Sequence, residues 1–442
     1  MIKDRRLRGR AARQLAPRAV IGRWTASQRQ QPALAAIEAQ SRARLPELAQ
    51  IRHARMASSP WHFYRGAAAV MAADLATAPH TGLMVQLCGD AHVLNFGLWA
   101  TPERNLAFDL RDFDETLPGP FEWDVKRLVT SLQVAARANA SPRLAAAAVT
   151  SCLRSYREHM ATFATASELD IWYDATHIDR MLQVFTEPEA RERLSRHISK
   201  RARRRTSRGA HDKLTVVIDG RQRISEDRPF RVHLDDAEHA QAVAALATYR
   251  QSLSEDHQHL LDRFELVDVV RQVVGVGSVG MRVYLALLEG RSGDDPLFLQ
   301  VKEATTSVYE PYLAPSSHTS HGERVVVGKR LIQSATDIFV GWTAVGEQQY
   351  YVRQFRDMKV VPDSERLTPY LVDFASACGA VLARAHARTG DAVAIDAYIG
   401  RSNAFDQAMA AYAAAYAAQN ERDHAELVDA ISRQQLPAGR AW

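Results

Sequence analysis

The sequence predicts an α+β protein with a large helical lobe and a small antiparallel β lobe. Apolar residues recur at three and four through residues 31–78 and again from Trp123 to about 204, the period of helices with one buried face. Residues 266–303 instead hold three apolar strand-like runs separated by two glycine-bearing turns. The 442 residues are 46% hydrophobic and 24% charged, which supplies apolar surface for a substantial core.

The elements follow in order. Residues 1–30 read as a basic arm carrying Lys3, Arg5, Arg6, Arg8, Arg10, Arg13, Arg18 and Arg23. Residues 31–265 read as the helical lobe. Within it, "GLMVQLCGDAHVLNFGLW" changes period and runs from strand into loop, and "NLAFDL" alternates before the acidic string "RDFDE". In "SPRLAAAAVTSCLRSYREHMATF", Ser141 is placed to cap a helix whose first turn holds Pro142. The run "KRARRRTSR" at 200–208 is too polar for a core and reads as a solvated loop. "KLTVVI" and "QRIS" then suggest a hairpin, and 235–263 a second helical stretch. Residues 266–362 form the β lobe, in which "HGERVVVGKRLIQ" reads as a short helix and "QQYYVRQFR" as a strand. Residues 363–442 return to helices that complete the helical lobe, the last of them capped at Asn403.

Charge and cysteine content exclude several classes. The formal net charge is +5, from 56 basic against 51 acidic residues, and no base-reading motif accompanies the basic runs, so nucleic acid is not the expected partner. No apolar run follows the basic arm as in a secretory signal, and none approaches the ~20 residues of a membrane span. Cys88, Cys152 and Cys378 are odd in number and widely spaced, against a disulfide framework or zinc site. The expectation is a reduced, cytoplasmic protein.

Three constellations carry chemistry. Asp90, His92 and Asn95 in "GDAHVLN" are followed by Asp109, Asp112 and Asp114 in "FDLRDFDE", oxygen donors at strand ends that suit a hard cation such as Mg2+. Gly275, Gly277, Ser278 and Gly280 in "GVGSVG" stand between two strand-like runs rather than before a helix. That context speaks against a dinucleotide-binding turn and for a loop whose backbone approaches the phosphates of a nucleotide. Lys302 in "LFLQVKEA" is a lone lysine inside an apolar strand, costly unless paired, and Glu323 on the following helix is its candidate partner. His53, His62 and His386 fall in helical segments and read as packing or surface histidines.

"GDAHVLN" and "FDLRDFD" resemble the catalytic and metal motifs of the aminoglycoside phosphotransferase and choline kinase branch of the kinase-like superfamily. Over nearly the whole chain, "RHARMASSPWHFYRGAA", "LCGDAHVLNFG", "FDLRDFDETLPGPFEWDVKRL" and "YYVRQFRDMK" resemble a bacterial family known only as a domain of unknown function. The kinase resemblance implies a two-lobe fold using ATP and Mg2+. Asp90 would take the proton of an attacking hydroxyl and Asn95 would bind the metal. Asp109 best fits the spacing of the second metal ligand, with Asp112 and Asp114 as alternatives, and Asp124 would buttress the catalytic loop. Gly275, Gly277, Ser278, Gly280, Lys302 and Glu323 would form the nucleotide site. Two departures stand out: Cys88 replaces the usual histidine before Gly-Asp, and the catalytic motifs precede the glycine loop. A circular permutation, opening the chain between "ARAHARTGD" and the catalytic loop, reconciles the order.

The acceptor is a hydroxyl-bearing molecule, small or protein, that the sequence does not identify. The rival reading is a metal-dependent phosphoesterase or nuclease using the Asp/His cluster on two metals. A non-catalytic nucleotide-binding protein and an AMP-transferring enzyme are the remaining alternatives.

Overall fold

The computed structural model describes residues 2–137, 141–185, 187–360, 368–439 and 441. It is a mixed α+β structure with small antiparallel sheets. Among the described residues twelve strands run in chain order: β1 (Met84–Leu87), β2 (Phe96–Ala100), β3 (Leu106–Leu110), β4 (Leu117–Pro120), β5 (Thr215–Ile218), β6 (Arg221–Ile224), β7 (Arg231–His233), β8 (Glu265–Gln272), β9 (Val283–Glu289), β10 (Pro296–Glu303), β11 (Gly341–Val345) and β12 (Gln348–Gln354).

The largest sheet has the order β11-β12-β10-β9-β8-β7, every neighbour antiparallel. Alternation along β10 decides what each face meets. Leu297, Leu299 and Val301 pack with Ala242, Ala245 and Tyr249 of helix Asp236–Tyr249. Phe298 turns the other way, onto Ala210, Leu214 and Ile224. Gln300 and Lys302 share its parity but lie beyond that apolar patch, over a cleft.

The rest of the chain is helical around one large core. Helix Phe121–Arg137, helix Pro142–Phe163 and helix Leu371–Thr389 supply much of it, including Leu128, Leu132, Leu153, Tyr156, Val381 and Leu382. Ser141 caps its helix as expected, accepting from Leu144 N–H at 3.3 Å. Asn403 stands at the start of helix Ala404–Ser432 without a capping side-chain hydrogen bond. Two short pairs, β1 with β4 and β2 with β3, bury side chains such as Leu87, Phe96 and Phe108 in the same core. Helix His321–Ile332 ties this body and the large sheet together, its Arg324 donating to the carbonyls of Thr116, Asp114 and Thr305 at 2.6, 2.9 and 2.7 Å.

Three expectations change. The basic arm is a docked helix, Ile2–Leu15, whose Arg13 donates to Tyr398 O at 2.9 Å, while Arg18 reaches Ile399 O at 2.8 Å. Those arginines satisfy the last carbonyls of helix Ala392–Ile399, where positive charge also suits the dipole. The run 200–208 is not a loop: helix Pro188–Arg204 continues into it, buries Ala202, and is followed by helix Ser207–Leu214, capped by Thr206. Ala190, Ile198 and Ala202 form the buried side of helix Pro188–Arg204. The boundary at 265 divides one body, because β7 and helix Asp236–Tyr249 belong to the large sheet. The boundary at 362 lies outside the described residues. Among the described residues no helix is long and apolar enough to cross a membrane.

Candidate functional site

A cleft of about 400 Å³ opens between the sheet and the helical body. Its floor begins where β1 ends. The chain turns at Gly89, φ +87°, where an added Cβ would stand 2.3 Å from the Glu115 carbonyl oxygen. The N–H groups of Cys88 and Gly89 donate to the Asp124 carboxylate at 2.7 and 3.0 Å. Asp124 is held by the first turn of helix Phe121–Arg137, with His386 Nε2 at 3.5 Å behind it. His386 is thus buried packing against the aspartate, while His53 bonds Ser41 and the Pro437 carbonyl away from the cleft.

Held this way, the loop offers Asp90, His92 and Asn95 to the cleft. Asp90 Oδ1 accepts from Arg127 Nε at 2.8 Å, and Arg127 is itself buried over the Tyr64 ring at 3.9 Å. Burial pushes the Asp90 carboxyl above its usual range against the pull of Arg127. Burial, and then the charges of Arg65, Arg127 and Arg111, drive the His92 imidazole well below its usual pKa, so it is neutral. Its Nε2 stands 3.7 Å from Asp90 Oδ2, and its Nδ1 has no hydrogen-bond partner. Asn95 Nδ2 donates to the Asp90 main-chain oxygen at 2.5 Å, closing the loop on itself.

The acidic string after β3 separates into two groups. Asp109 is fully buried, paired with Arg384, and accepts from Ser334 N–H and Oγ at 2.9 and 3.0 Å. It does not line the cleft, so the best-spaced metal candidate is a closed structural pair. Asp112 and Asp114 do line it, and the Asp112 Oδ1 is buried without a hydrogen-bond partner. Burial works to raise Asp112, but Lys302, Arg353 and Arg111 hold it below the usual carboxylate range.

Lys302 comes down from β10 with only 2% of its side chain exposed, bonds Asp114, and stands 3.7 Å from Asp112. Burial opposes its charge; Asp112 and Asp114 override that and raise its pKa. The expected partner Glu323 is elsewhere, accepting from Thr319 N–H and Oγ1 at 3.2 and 3.0 Å in the first turn of its helix. Both differences have one cause. The acidic turn of residues 111–115 is bent under β10, so nearby carboxylates reach the lysine before the helix can.

The glycine loop lies between β8 and β9, and Gly275, Gly277 and Ser278 line the cleft. Gly275 and Gly280 have φ +44° and +94°, values that disfavour a side chain. The loop is fixed from outside. Leu45 N–H donates to Gly280 O and Arg44 to Gly277 O, both at 2.8 Å, and Arg55 reaches Gly275 O at 3.2 Å.

Several residues of the cleft escaped sequence reasoning: Arg65, Arg111, Glu115, Arg353 and Lys359, and so did Arg127, buried behind Asp90. Burial and the charges of Arg353 and Arg111 push the Lys359 amine well down, so this wall is short of counter-charge. A lone arginine among apolar residues in "WHFYRGAA" was the available signal for Arg65, whereas Arg127 stands among other charges in "FEWDVKRL".

The donors suit a hard cation with incomplete protein coordination. Asn95, Asp112 and Asp114 supply oxygens to one cleft, yet among the described residues no group of three or more His, Cys, Asp or Glu forms a ready metal cage. Magnesium commonly binds through one or two carboxylates and completes its shell with substrate phosphates and water.

A family model described as "Uncharacterized protein conserved in bacteria (DUF2252)" matches residues 44–430. The chain belongs to that family. The match begins at Arg44 and takes in the cleft's loops, the large sheet and the helices behind them. No curated protein and no solved structure matches the chain.

Proposed function

We propose that the chain is a kinase-like phosphotransferase, on a circularly permuted two-lobe fold, that uses ATP with magnesium to phosphorylate an acceptor hydroxyl. One observation carries the reading: Lys302 from the sheet meets Asp112 and Asp114 from the helical body in a cleft that also holds Asp90 and is walled by the glycine loop. Strand, glycine loop, strand, lysine strand and helix succeed one another in kinase small lobes as β8, the loop, β9, β10 and helix His321–Ile332 do here.

The permutation has its own support. The last turn of helix Leu371–Thr389 meets β1, where Gln86 N–H donates to Thr389 Oγ1 at 3.1 Å. In space, the path from glycine loop to lysine to helix thus runs on into the catalytic loop, although in sequence that loop comes first.

Lys302 and the glycine loop would bind the nucleotide's phosphates, and Asn95, Asp112 and Asp114 would hold magnesium. The metal, when bound, supplies neutralisation of phosphate charge. Asp90 would accept the acceptor's proton, its basicity raised by burial and its orientation fixed by Arg127. Positioning and charge compensation carry most of the rate in such a reaction. A two-metal phosphoesterase is less well supported, for it needs a carboxylate cage that the described residues do not form and leaves Lys302 without a task.

Calorimetric titration of ATP and ADP, with and without magnesium, tests the reading. Magnesium-dependent binding is expected, weakened by both Lys302→Ala and Asp112→Ala; an unmodified chain that binds no nucleotide would sink it.

A further inference from the structure

The wall of the cleft that covers the glycine loop is made by helices Ala33–Arg42, Pro46–Ala57 and Pro60–Gly66. They bury the loop's own valines: Val276 packs with Ala33, Ile37, Met56 and Phe63, and Val279 with Leu48 and Ile51. With the three backbone contacts from Arg44, Leu45 and Arg55, this makes the segment a fixed roof. Its last helix carries Arg65 into the cleft beside Asp90, His92 and Asp112. The Arg65 carbonyl lies 3.7 Å from where a Cβ on Gly277 would stand, so the main chain at Arg65 runs beside the glycine loop.

Three of the cations around Asp90 and the acidic turn are engaged: Arg127 with Asp90, Lys302 with Asp114, Arg324 with three carbonyls. Arg65 is different. Its Nε is buried without a hydrogen-bond partner, and among the described residues it forms no ion pair. Burial lowers its pKa, with Asp90 and Asp112 opposing that pull. A guanidinium held there costs stability until an anion meets it.

We infer that Arg65 is a catalytic residue, a guanidinium supplied in cis that neutralises the phosphoryl group in flight between nucleotide and acceptor. The inference rests on the phosphotransferase reading above. In the step concerned, the acceptor oxygen bonds to the γ-phosphorus and its proton passes to Asp90. The bond from that phosphorus to the β,γ-bridging oxygen breaks, and its electron pair leaves with ADP. Arg65 keeps its proton throughout and contributes charge and directed donors where the equatorial oxygens gather charge.

Titration of MgADP with and without aluminium fluoride, a mimic of the transferring group, tests this on the full chain. The unmodified protein is expected to bind MgADP more tightly with the fluoride. Arg65→Ala should hold MgADP alone within about twofold while losing most of that gain, about 100-fold or more. Arg65→Lys, which keeps the charge but not the planar fork, should recover part of it and guards against a fold defect in the alanine variant. Full tightening in Arg65→Ala, or equal loss of MgADP binding with and without fluoride, overturns the inference and leaves the phosphotransferase reading standing. Failure of the unmodified protein to bind MgADP overturns that reading instead.

Discussion

Asp109 and Asp112 stand three residues apart on one strand end, yet one faces a sealed interior and the other an open cleft. Around Asp109 each partner is supplied by the chain: Arg384 from one helix, Ser334 from the end of another. Around Asp112 cations outnumber what its carboxylate can engage, and one oxygen has no hydrogen-bond partner. A closed pair of this kind holds a fold together; an open, unbalanced one leaves charge free to meet a ligand.

The contrast can be broken most directly by mutation at its two ends. Asp109→Ala should destabilise the protein by about 3–5 kcal/mol in urea unfolding, since Arg384 is left buried without its counter-charge. Asp112→Ala should stay within about 1 kcal/mol of the unmodified protein and abolish the magnesium dependence of nucleotide binding. If the two variants exchange these phenotypes, Asp109 is the metal ligand and the contrast is wrong.

A second pair sharpens it. Lys302→Ala should weaken nucleotide binding, whereas Glu323→Ala should leave binding unchanged and cost about 0.3–1 kcal/mol, the worth of an acidic residue in a helix's first turn. A large loss of binding in Glu323→Ala would restore that residue to the site.

The smallest effect is a pH dependence. Burial raises the Glu115 carboxyl from 4.5 to about 7, so the folded chain holds that proton more tightly than the unfolded one. Its contribution to stability is therefore complete below about pH 4.5 and lost as pH rises through about 7. Glu115→Gln should flatten that part of the stability curve measured by thermal unfolding between pH 5 and 8; an unchanged slope would place the titration elsewhere.

Much of the cleft was legible because its chemistry is local. Asp90, His92 and Asn95 share one short loop, and a lysine within the apolar strand β10 is conspicuous at any fold. Choosing among Asp109, Asp112 and Asp114 was not legible, because spacing along the chain does not say how sharply the turn after β3 bends. The partner of Lys302 was misread for the same reason. The cationic end of helix Pro188–Arg204 was hidden because its buried side is only Ala190, Ile198 and Ala202, which weigh little beside so many arginines.

Composition and periodicity by themselves determined the α+β class, the antiparallel sheet with its helix, and the segments bearing the charged side chains of the cleft, since these follow from patterns that repeat within a few residues. Tertiary structure alone decided which charges meet: Arg384 closing on Asp109, Arg127 on Asp90, and residues 33–66 over the glycine loop with Arg65 beneath. Those partners are separated by tens to hundreds of residues. Charge pairing depends on distance in space and on exclusion of water, which the order of residues along the chain does not record.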